Sequence, residues 1–167
     1  GINAATAGLI VAVYWALMMV GRFVGASIGS KVSSRAMLTT VSIATLLLVS
    51  FGMFAPTDIT VSVPGIDWAN LKLIWANVPV GIFAFLLVGL CTSVMWGGIF
   101  NMAVEGLGKY TAVASGIFMT MVFGCAVMLA IQAQVAEMTD YMTSYWVVLF
   151  SAAYLLFYAL IGSKVKK

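Results

Sequence analysis

Five long apolar runs constrain the fold of this 167-residue chain more than any other feature. They cover residues 7–30, 36–55, 78–104, 112–136 and 144–162, and Arg22 is the one charged residue inside them. A helix needs roughly 20 residues, at about 1.5 Å each, to cross a bilayer. The runs lack the alternation typical of membrane β-strands. The pattern therefore predicts an all-α membrane protein whose single domain contains five transmembrane helices.

The composition agrees with a lipid environment and argues against a catalytic or metal site. Only 8% of the residues are charged, against roughly 25% in soluble domains. The chain has no His, and Cys91 and Cys125 lie inside apolar runs without partners at the spacing of a metal site. We therefore expect no metal, no cofactor and no catalytic residues, so that the protein is not an enzyme.

The basic residues lie mainly on one side of the expected membrane. The two short loops after the first and third runs, the C-terminal tail and Arg22 together hold seven of the eight Lys and Arg residues. The positive-inside rule places that side, and the C-terminus, in the cytoplasm. This distribution favours contact with a bilayer and predicts no nucleic-acid partner. Because the sequence begins with Gly1 instead of Met and shows no signal peptide, we expect a piece of a longer protein.

The longest loop, residues 56–77, is expected on the outer side. Pro64-Gly65 is typical of a turn, and Trp68, Leu71 and Trp75 then recur at helical spacing. One interpretation is a short interfacial helix with tryptophans at headgroup depth. The other is that the third transmembrane helix begins early, near Trp68.

Small residues recur at every fourth position in two of the runs. Gly21, Gly25 and Gly29 do so in the first run, and the fourth run has the series Ala112, Gly116, Thr120 and Gly124. This spacing lets helix backbones approach closely within lipid. We expect both helices to have helix partners, inside or outside this chain.

Few polar groups lie deep in the expected membrane. Arg22 is interpreted either as a side chain that reaches the headgroups or as a gate residue. The uncharged polar candidates are Tyr14, Ser93, Asn101, Thr120 and Gln132. Aromatic faces such as Trp96, combined with amide and hydroxyl groups, suit a sugar ligand. Packing between helices is the alternative role for Trp96.

Two motifs resemble those of a known family. Residues 21–25 read Gly-Arg-Phe-Val-Gly, and residues 93–108 read Ser-Val-Met-Trp-Gly-Gly-Ile-Phe-Asn-Met-Ala-Val-Glu-Gly-Leu-Gly. They resemble elements of major facilitator sugar transporters, in the branch of the fucose permease and the glucose/galactose transporters. The resemblance implies that the five runs are helices eight to twelve, part of the C-terminal half of a major facilitator fold.

The resemblance also implies roles for individual residues. Helix ten would line the central cavity with Trp96 facing the sugar, and Gly21, Arg22 and Gly25 would belong to a cytoplasmic gating motif. Gln132 matches a family glutamine. Since a family proline has no counterpart after Gly124, the eleventh helix is expected to be straighter. The carboxylates that take the coupling proton would lie in an N-terminal half outside this chain.

These observations predict the C-terminal part of a proton-coupled monosaccharide transporter of the fucose, glucose or galactose type. It would work by alternating access in a bacterial inner membrane, and its sugar contacts would be Trp96, Asn101, Tyr14, Ser93 and Gln132. Two alternatives remain open. One is a major facilitator transporter of a non-sugar solute, and the other is a membrane scaffold or subunit that does not transport.

Overall fold

The computed structural model describes residues 4–56, 58–67 and 72–163. Two long helices open the described chain, α1 (Ala4–Gly29) and α2 (Ser34–Phe54). A hairpin of two strands follows, β1 (Thr60–Asp67) and β2 (Lys72–Pro79), and leads into α3 (Val80–Val104). After a short 3-10 turn come α4 (Thr111–Met121), α5 (Phe123–Met138) and α6 (Tyr141–Phe157), and a π turn extends α6 to Gly162.

Within the part of the chain that the structure describes, five helical segments are long and apolar enough to cross a membrane. They are Thr6–Gly29, Ser34–Phe54, Val80–Val104, Gly108–Met138 and Tyr141–Gly162, so α4 and α5 belong to one span. Their bounds lie within a few residues of the five apolar runs. The expected membrane class with five helical spans is therefore confirmed, and the chain is a multi-pass membrane protein.

The core is built where α2, α3 and α6 meet. One buried cluster joins Val49, Val88 and Leu149, one residue from each helix. A second joins Leu38 and Met95 to Ala159 in the π turn. Because lipid provides no hydrophobic drive between helices, such close van der Waals packing is what holds these three together.

The hairpin corrects the expectation of an interfacial helix or an early third helix in residues 56–77. β1 and β2 pair antiparallel, with Pro64 opposite Trp75 and Ser62 opposite Asn77. The Ser62 hydroxyl lies 2.7 Å from the Asn77 side-chain oxygen. Trp75, 74% exposed, lies in β2, whereas Trp68 and Leu71 fall outside the described residues. Pro64 is tolerated because each strand of a two-stranded hairpin has a free edge.

The span formed by α4 and α5, for which a straighter helix was expected, contains a local interruption. Its hydrogen bonding is interrupted at Val122, between α4 and α5. The Val122 N–H donates to the Met119 carbonyl at 3.2 Å, and the Cys125 N–H donates to the Val122 carbonyl at 2.9 Å. Both are three-residue bonds of the tighter 3-10 type. The loss of a proline therefore does not give an uninterrupted helix.

Candidate functional site

Glycines bring α1 directly against the backbone of α3. A Cβ atom added at Gly21 would overlap the Ser93 hydroxyl oxygen and lie 2.9 Å from the Leu90 carbonyl oxygen. One added at Gly25 would lie 2.8 Å from a methyl group of Val94. Gly21 and Gly25 of the first run therefore have a helix partner within this chain, whereas no other described segment lies within 4 Å of a Cβ placed at Gly29.

A cavity of about 320 Å³, here called the Arg22 cavity, opens beside this contact. α1, the start of α2 and the second half of α3 form its walls. Its lining residues are Arg22, Gly25, Ala26, Gly29, Ser34, Met37, Ser93, Val94, Gly97, Gly98 and Asn101. The walls thus bring one guanidinium, one amide and two hydroxyl groups to a single concave surface, which can hydrogen-bond a neutral polar solute.

A second cavity, the Arg35 cavity, shares Ser34 and Asn101 with the first and has a volume of about 570 Å³. It lies at the ends of α2, α3 and the π turn. Its lining residues are Ser33, Ser34, Arg35, Asn101, Met102, Glu105 and Ser163. Since Asn101 belongs to both linings, its exposed amide lies where the two cavities meet.

The predicted sugar contacts do not all come together. Ser93 and Asn101 line the Arg22 cavity with the predicted gating residues Arg22 and Gly25, but Tyr14 does not line it. The Tyr14 hydroxyl instead lies 3.3 Å from the Thr92 hydroxyl oxygen, in a contact between α1 and α3. The Ser93 hydroxyl donates to the Leu90 carbonyl at 2.6 Å, so its oxygen remains an acceptor for a ligand.

Trp96 faces away from the Arg22 cavity. Its ring centroid lies 5.1 Å from that of Phe118 in α4, and Phe118 lies 5.4 Å from Phe100. At about 100° per residue, Asn101 is about 140° round the helix from Trp96, whereas Phe100 is about 40° from it. The indole is nevertheless 47% exposed. Trp96 therefore has both a packing contact and a free surface.

Gln132 and Thr120 lie on the span formed by α4 and α5. Gln132 is half-buried and does not line the Arg22 cavity. The Thr120 hydroxyl donates to the Ile117 carbonyl at 2.7 Å, within its own helix. This span therefore contributes none of the polar groups around Ser93 and Asn101.

Several lining residues escaped the sequence analysis. Ser34 was not singled out, Met37 was counted only within the second apolar run, and Arg35 was counted only as a loop charge. The Arg35 guanidinium donates to the Ser163 carbonyl oxygen at 3.1 Å, which ties the start of α2 to the end of the last span. No periodicity in the sequence indicates this contact, because 128 residues separate the partners.

The turn after α3 explains the Gly-Leu-Gly motif. Gly106 and Gly108 have φ values of +79° and +49°, in the left-handed region that glycine adopts without steric cost. The Thr111 hydroxyl then donates to the Gly108 carbonyl at 2.7 Å as α4 begins. These glycines shape the short connection from Asn101 and Glu105 to the next span.

At the opposite ends of the helices, Asp140 caps α6. Its carboxylate accepts hydrogen bonds from the backbone N–H groups of Met142, at 3.0 Å, and Thr143, at 3.1 Å. The Thr143 hydroxyl also donates to this carboxylate and, with these backbone bonds, lowers the pKa of Asp140 below its usual value of 3.8. This capping is structural and lies far along the chain from the residues of either cavity.

Comparison with known proteins supports the resemblance seen in the motifs. Over 165 residues, or 98% of its length, the chain is 29% identical to the glucose/galactose transporters of Brucella abortus biovar 1 (strain 9-941) and Brucella abortus (strain 2308). The aligned part is 35% of each relative and belongs to its C-terminal part. No family model and no solved structure matches the chain. Nearly the whole chain is thus similar to proteins named as sugar transporters, and it spans about a third of the length of each of them.

Proposed function

We propose that this chain forms helices eight to twelve of a major facilitator transporter for a monosaccharide. The observation that carries the proposal is the similarity of 98% of the chain to proteins named glucose/galactose transporter. Five membrane-spanning helices and a polar cavity between α1 and α3 are consistent with it. The chain covers about a third of those relatives, so the activity belongs to the longer protein.

The Arg22 cavity is our proposed part of the sugar path. The Asn101 amide can both donate to and accept from sugar hydroxyls, and the Ser93 oxygen can accept. The half-exposed ring of Trp96 would offer its face to the C–H groups of a sugar in the central passage. Tyr14, bonded to Thr92, and Gln132 have weaker support, since neither lines this cavity.

Alternating access is the mechanism that we propose for the complete protein, with two helical bundles rocking around a midplane site. Gly21 and Gly25 allow α1 to move as one unit with α3, because their backbones are in direct contact. Arg22 lies beside this contact and lines the cavity. We assign it to a gate on the side of the membrane that holds most basic residues.

We further propose that the transporter is coupled to protons, and that the coupling carboxylates belong to the rest of the protein. All five acidic residues of this chain lie outside the apolar runs, at Asp58, Asp67, Glu105, Glu137 and Asp140. Intramembrane carboxylates are the usual proton carriers in transporters. This chain would therefore supply a wall of the passage and no site for H⁺.

The location that we propose is a bacterial inner membrane, with the C-terminus in the cytoplasm. The proposal depends on the excess of Lys and Arg in the loops and tail of one side. Single cysteines at Lys109 and Asp58, in a background without Cys91 and Cys125, would test it. A membrane-impermeant maleimide should label position 58 in intact cells and position 109 only after lysis, and the reverse pattern would refute the orientation.

Uptake of radiolabelled glucose, galactose and fucose by cells that produce the full-length protein would test the function. We expect accumulation that a protonophore abolishes. Asn101→Ala should raise KM about tenfold, equivalent to about 1.4 kcal/mol of lost binding, whereas the matched amide control Gln134→Ala should leave KM unchanged. Uptake that no hexose competes for would favour a non-sugar solute, and a correctly inserted protein without uptake would favour a scaffold.

The role of Trp96 is tested separately in the same assay. Trp96→Ala should weaken sugar affinity more than Trp146→Ala, which removes an exposed indole from α6. Equal and unchanged affinities in both variants would leave Trp96 with only its packing contact to Phe118.

A further inference from the structure

An apolar groove separates α1 from α2 on the surface of α3, and we call it the α1–α2 groove. Its volume is about 630 Å³. Val20, Val24 and Ile28 form the wall contributed by α1. Thr40 and Val41 belong to the opposite wall. Three membrane-spanning segments line the groove, so its natural contents are the components of a bilayer.

The groove offers hydrocarbon and almost no hydrogen-bonding capacity. Thr40 contributes the one hydroxyl of its lining, and this hydroxyl donates to the Ala36 carbonyl at 2.9 Å within α2. Leu90 and Val94 belong to the floor supplied by α3. Because an unpaired polar group would lose its hydrogen bonds here, the occupant must be apolar along its length.

The length of the groove distinguishes a lipid chain from a helix. From Val20 to Ile28 the α1 wall extends eight residues, or about 12 Å at 1.5 Å per residue. The hydrocarbon core of a bilayer is about 30 Å thick, so the groove spans less than one leaflet. A transmembrane helix would need a contact surface along the whole core. An acyl chain from the nearer leaflet needs only this part.

Positive charge lies at the open end of the groove. Val32, in the turn between α1 and α2, is the last lining residue, and Lys31 precedes it with an exposed side chain. Residues 30–35 contain Lys31 and Arg35 and no acidic residue. Arg22 lines the Arg22 cavity instead, and Arg35 is bonded to the Ser163 carbonyl, which leaves Lys31 as the exposed cation next to the last lining residue. Basic groups at such positions attract lipid phosphates.

We propose that the α1–α2 groove binds one acyl chain of an anionic phospholipid, whose phosphate contacts Lys31. The lipid would fill the space between α1 and α2 on the side where most basic residues lie. It would support α1 beside the Arg22 cavity, since the two surfaces share Gly25, Met37 and Val94. This inference does not depend on the identity of the transported solute.

Native mass spectrometry of the full-length protein with dioleoyl phosphatidylglycerol would test the acyl-chain site. Val24→Trp places an indole in the groove, and Val13→Trp places one on the same helix outside it; both positions are exposed. We expect Val24→Trp to reduce retention of the most tightly held lipid at least tenfold and Val13→Trp to leave it unchanged. Equal retention by both variants, or equal loss, would overturn the proposal.

A second pair of variants tests the headgroup contact with little risk to folding. Lys31→Gln should remove the preference for phosphatidylglycerol over phosphatidylcholine, whereas Lys109→Gln, an exposed lysine in another turn, should keep it. An unchanged preference in Lys31→Gln would overturn the phosphate contact. If position 24, changed to cysteine, forms a crosslink to another segment of the full-length protein, a protein segment occupies the groove and the lipid proposal is wrong.

Discussion

The first and fourth spans share a pattern of small residues but differ in what that pattern contacts. In α1, Gly21 and Gly25 lie against Ser93, Leu90 and Val94 of α3. In the span of α4 and α5, no atom of another segment among the described residues lies within 4 Å of a Cβ placed at Gly116 or Gly124. Gly21 and Gly25 are therefore packed against another helix of this chain, whereas Gly116 and Gly124 meet no other described segment.

This difference shows what small-residue spacing can and cannot determine. Removing side chains at every fourth position takes away the steric barrier to close helix contact. It does not select a partner, because the complementary surface comes from another helix. For α1 that surface is supplied by α3, whose Ser93 and Val94 project onto the two glycines. For α4, no other segment among the described residues supplies such a surface at Gly116 or Gly124.

Alanine substitutions at Gly21 and Gly116 would test this comparison with the largest expected effect. Gly21→Ala should lower the free energy of unfolding by about 1 to 3 kcal/mol, because the new methyl group meets the Leu90 carbonyl and Ser93. Gly116→Ala should raise it by up to about 1 kcal/mol through helix propensity. Unfolding of the full-length protein in mixed micelles measures both.

Equal losses at the two positions would contradict the contrast drawn from this chain. A loss at Gly116 would show that a helix outside the chain packs on α4, and a gain at Gly21 would show that α1 and α3 are not in backbone contact.

The aromatic contact between α3 and α4 should have an effect of intermediate size. In a double-mutant cycle, Trp96→Leu and Phe118→Leu should couple by about 0.5 to 1.5 kcal/mol, as expected for an aromatic pair. The control cycle combines Trp96→Leu with Phe123→Leu, because Phe123 is 75% exposed. That cycle should show no coupling. Equal coupling energies in the two cycles would contradict a specific contact between the rings of Trp96 and Phe118.

The hydrogen bond between Arg35 and Ser163 should have a smaller effect on stability. Arg35→Met keeps an unbranched side chain but removes the donor to the Ser163 carbonyl, so we expect a loss of about 0.5 to 1 kcal/mol. Lys109→Met is the control, since it removes an exposed cation at the other turn on the same side. Thermal unfolding in detergent would compare them, and identical melting temperatures would refute the contact.

The smallest effect is expected at Asp140, and only in acid. Hydrogen bonds from Thr143 and Met142 keep the folded-state pKa below the ordinary value of 3.8. The unfolded chain therefore binds a proton first as the pH falls, and the stabilising contribution is complete above pH 3.8 and lost below it. Asp140→Asn should remove this part of the pH dependence of the free energy of unfolding, measured at pH values on both sides of 3.8, and an unchanged dependence would contradict the capping bonds.

The sequence predicted the spans better than the surfaces between them. An apolar run of about 20 residues must be helical in lipid, because every backbone N–H and C=O then finds a partner within its own segment. The same argument does not reach the loop, where Trp68, Leu71 and Trp75 happen to share helical spacing. There the β-branched residues Thr60 and Val61 favour a strand. β1 pairs with β2, so the helical spacing of the apolar residues did not predict the structure of this loop.

The candidate site was predicted in part, for a similar reason. Ser93, Asn101, Arg22 and Gly25 were selected as polar or small residues at depth, and one cavity collects all four. Trp96 was selected for its depth and for the resemblance of its motif, and neither specifies which helix its ring contacts. Its neighbour in α4, Phe118, and the contact of Arg35 with Ser163 join segments that are distant in sequence.

The sequence by itself determined that five helices cross a membrane, which loops hold the positive charge, and that acidic groups lie outside the apolar runs. These properties follow from local hydropathy and from the cost of burying charge, which act on each segment independently. Only the tertiary structure decided which glycine-containing face is filled, where the cavity opens, and that Trp96 turns towards α4. Those outcomes depend on shape complementarity between helices, which no single segment contains.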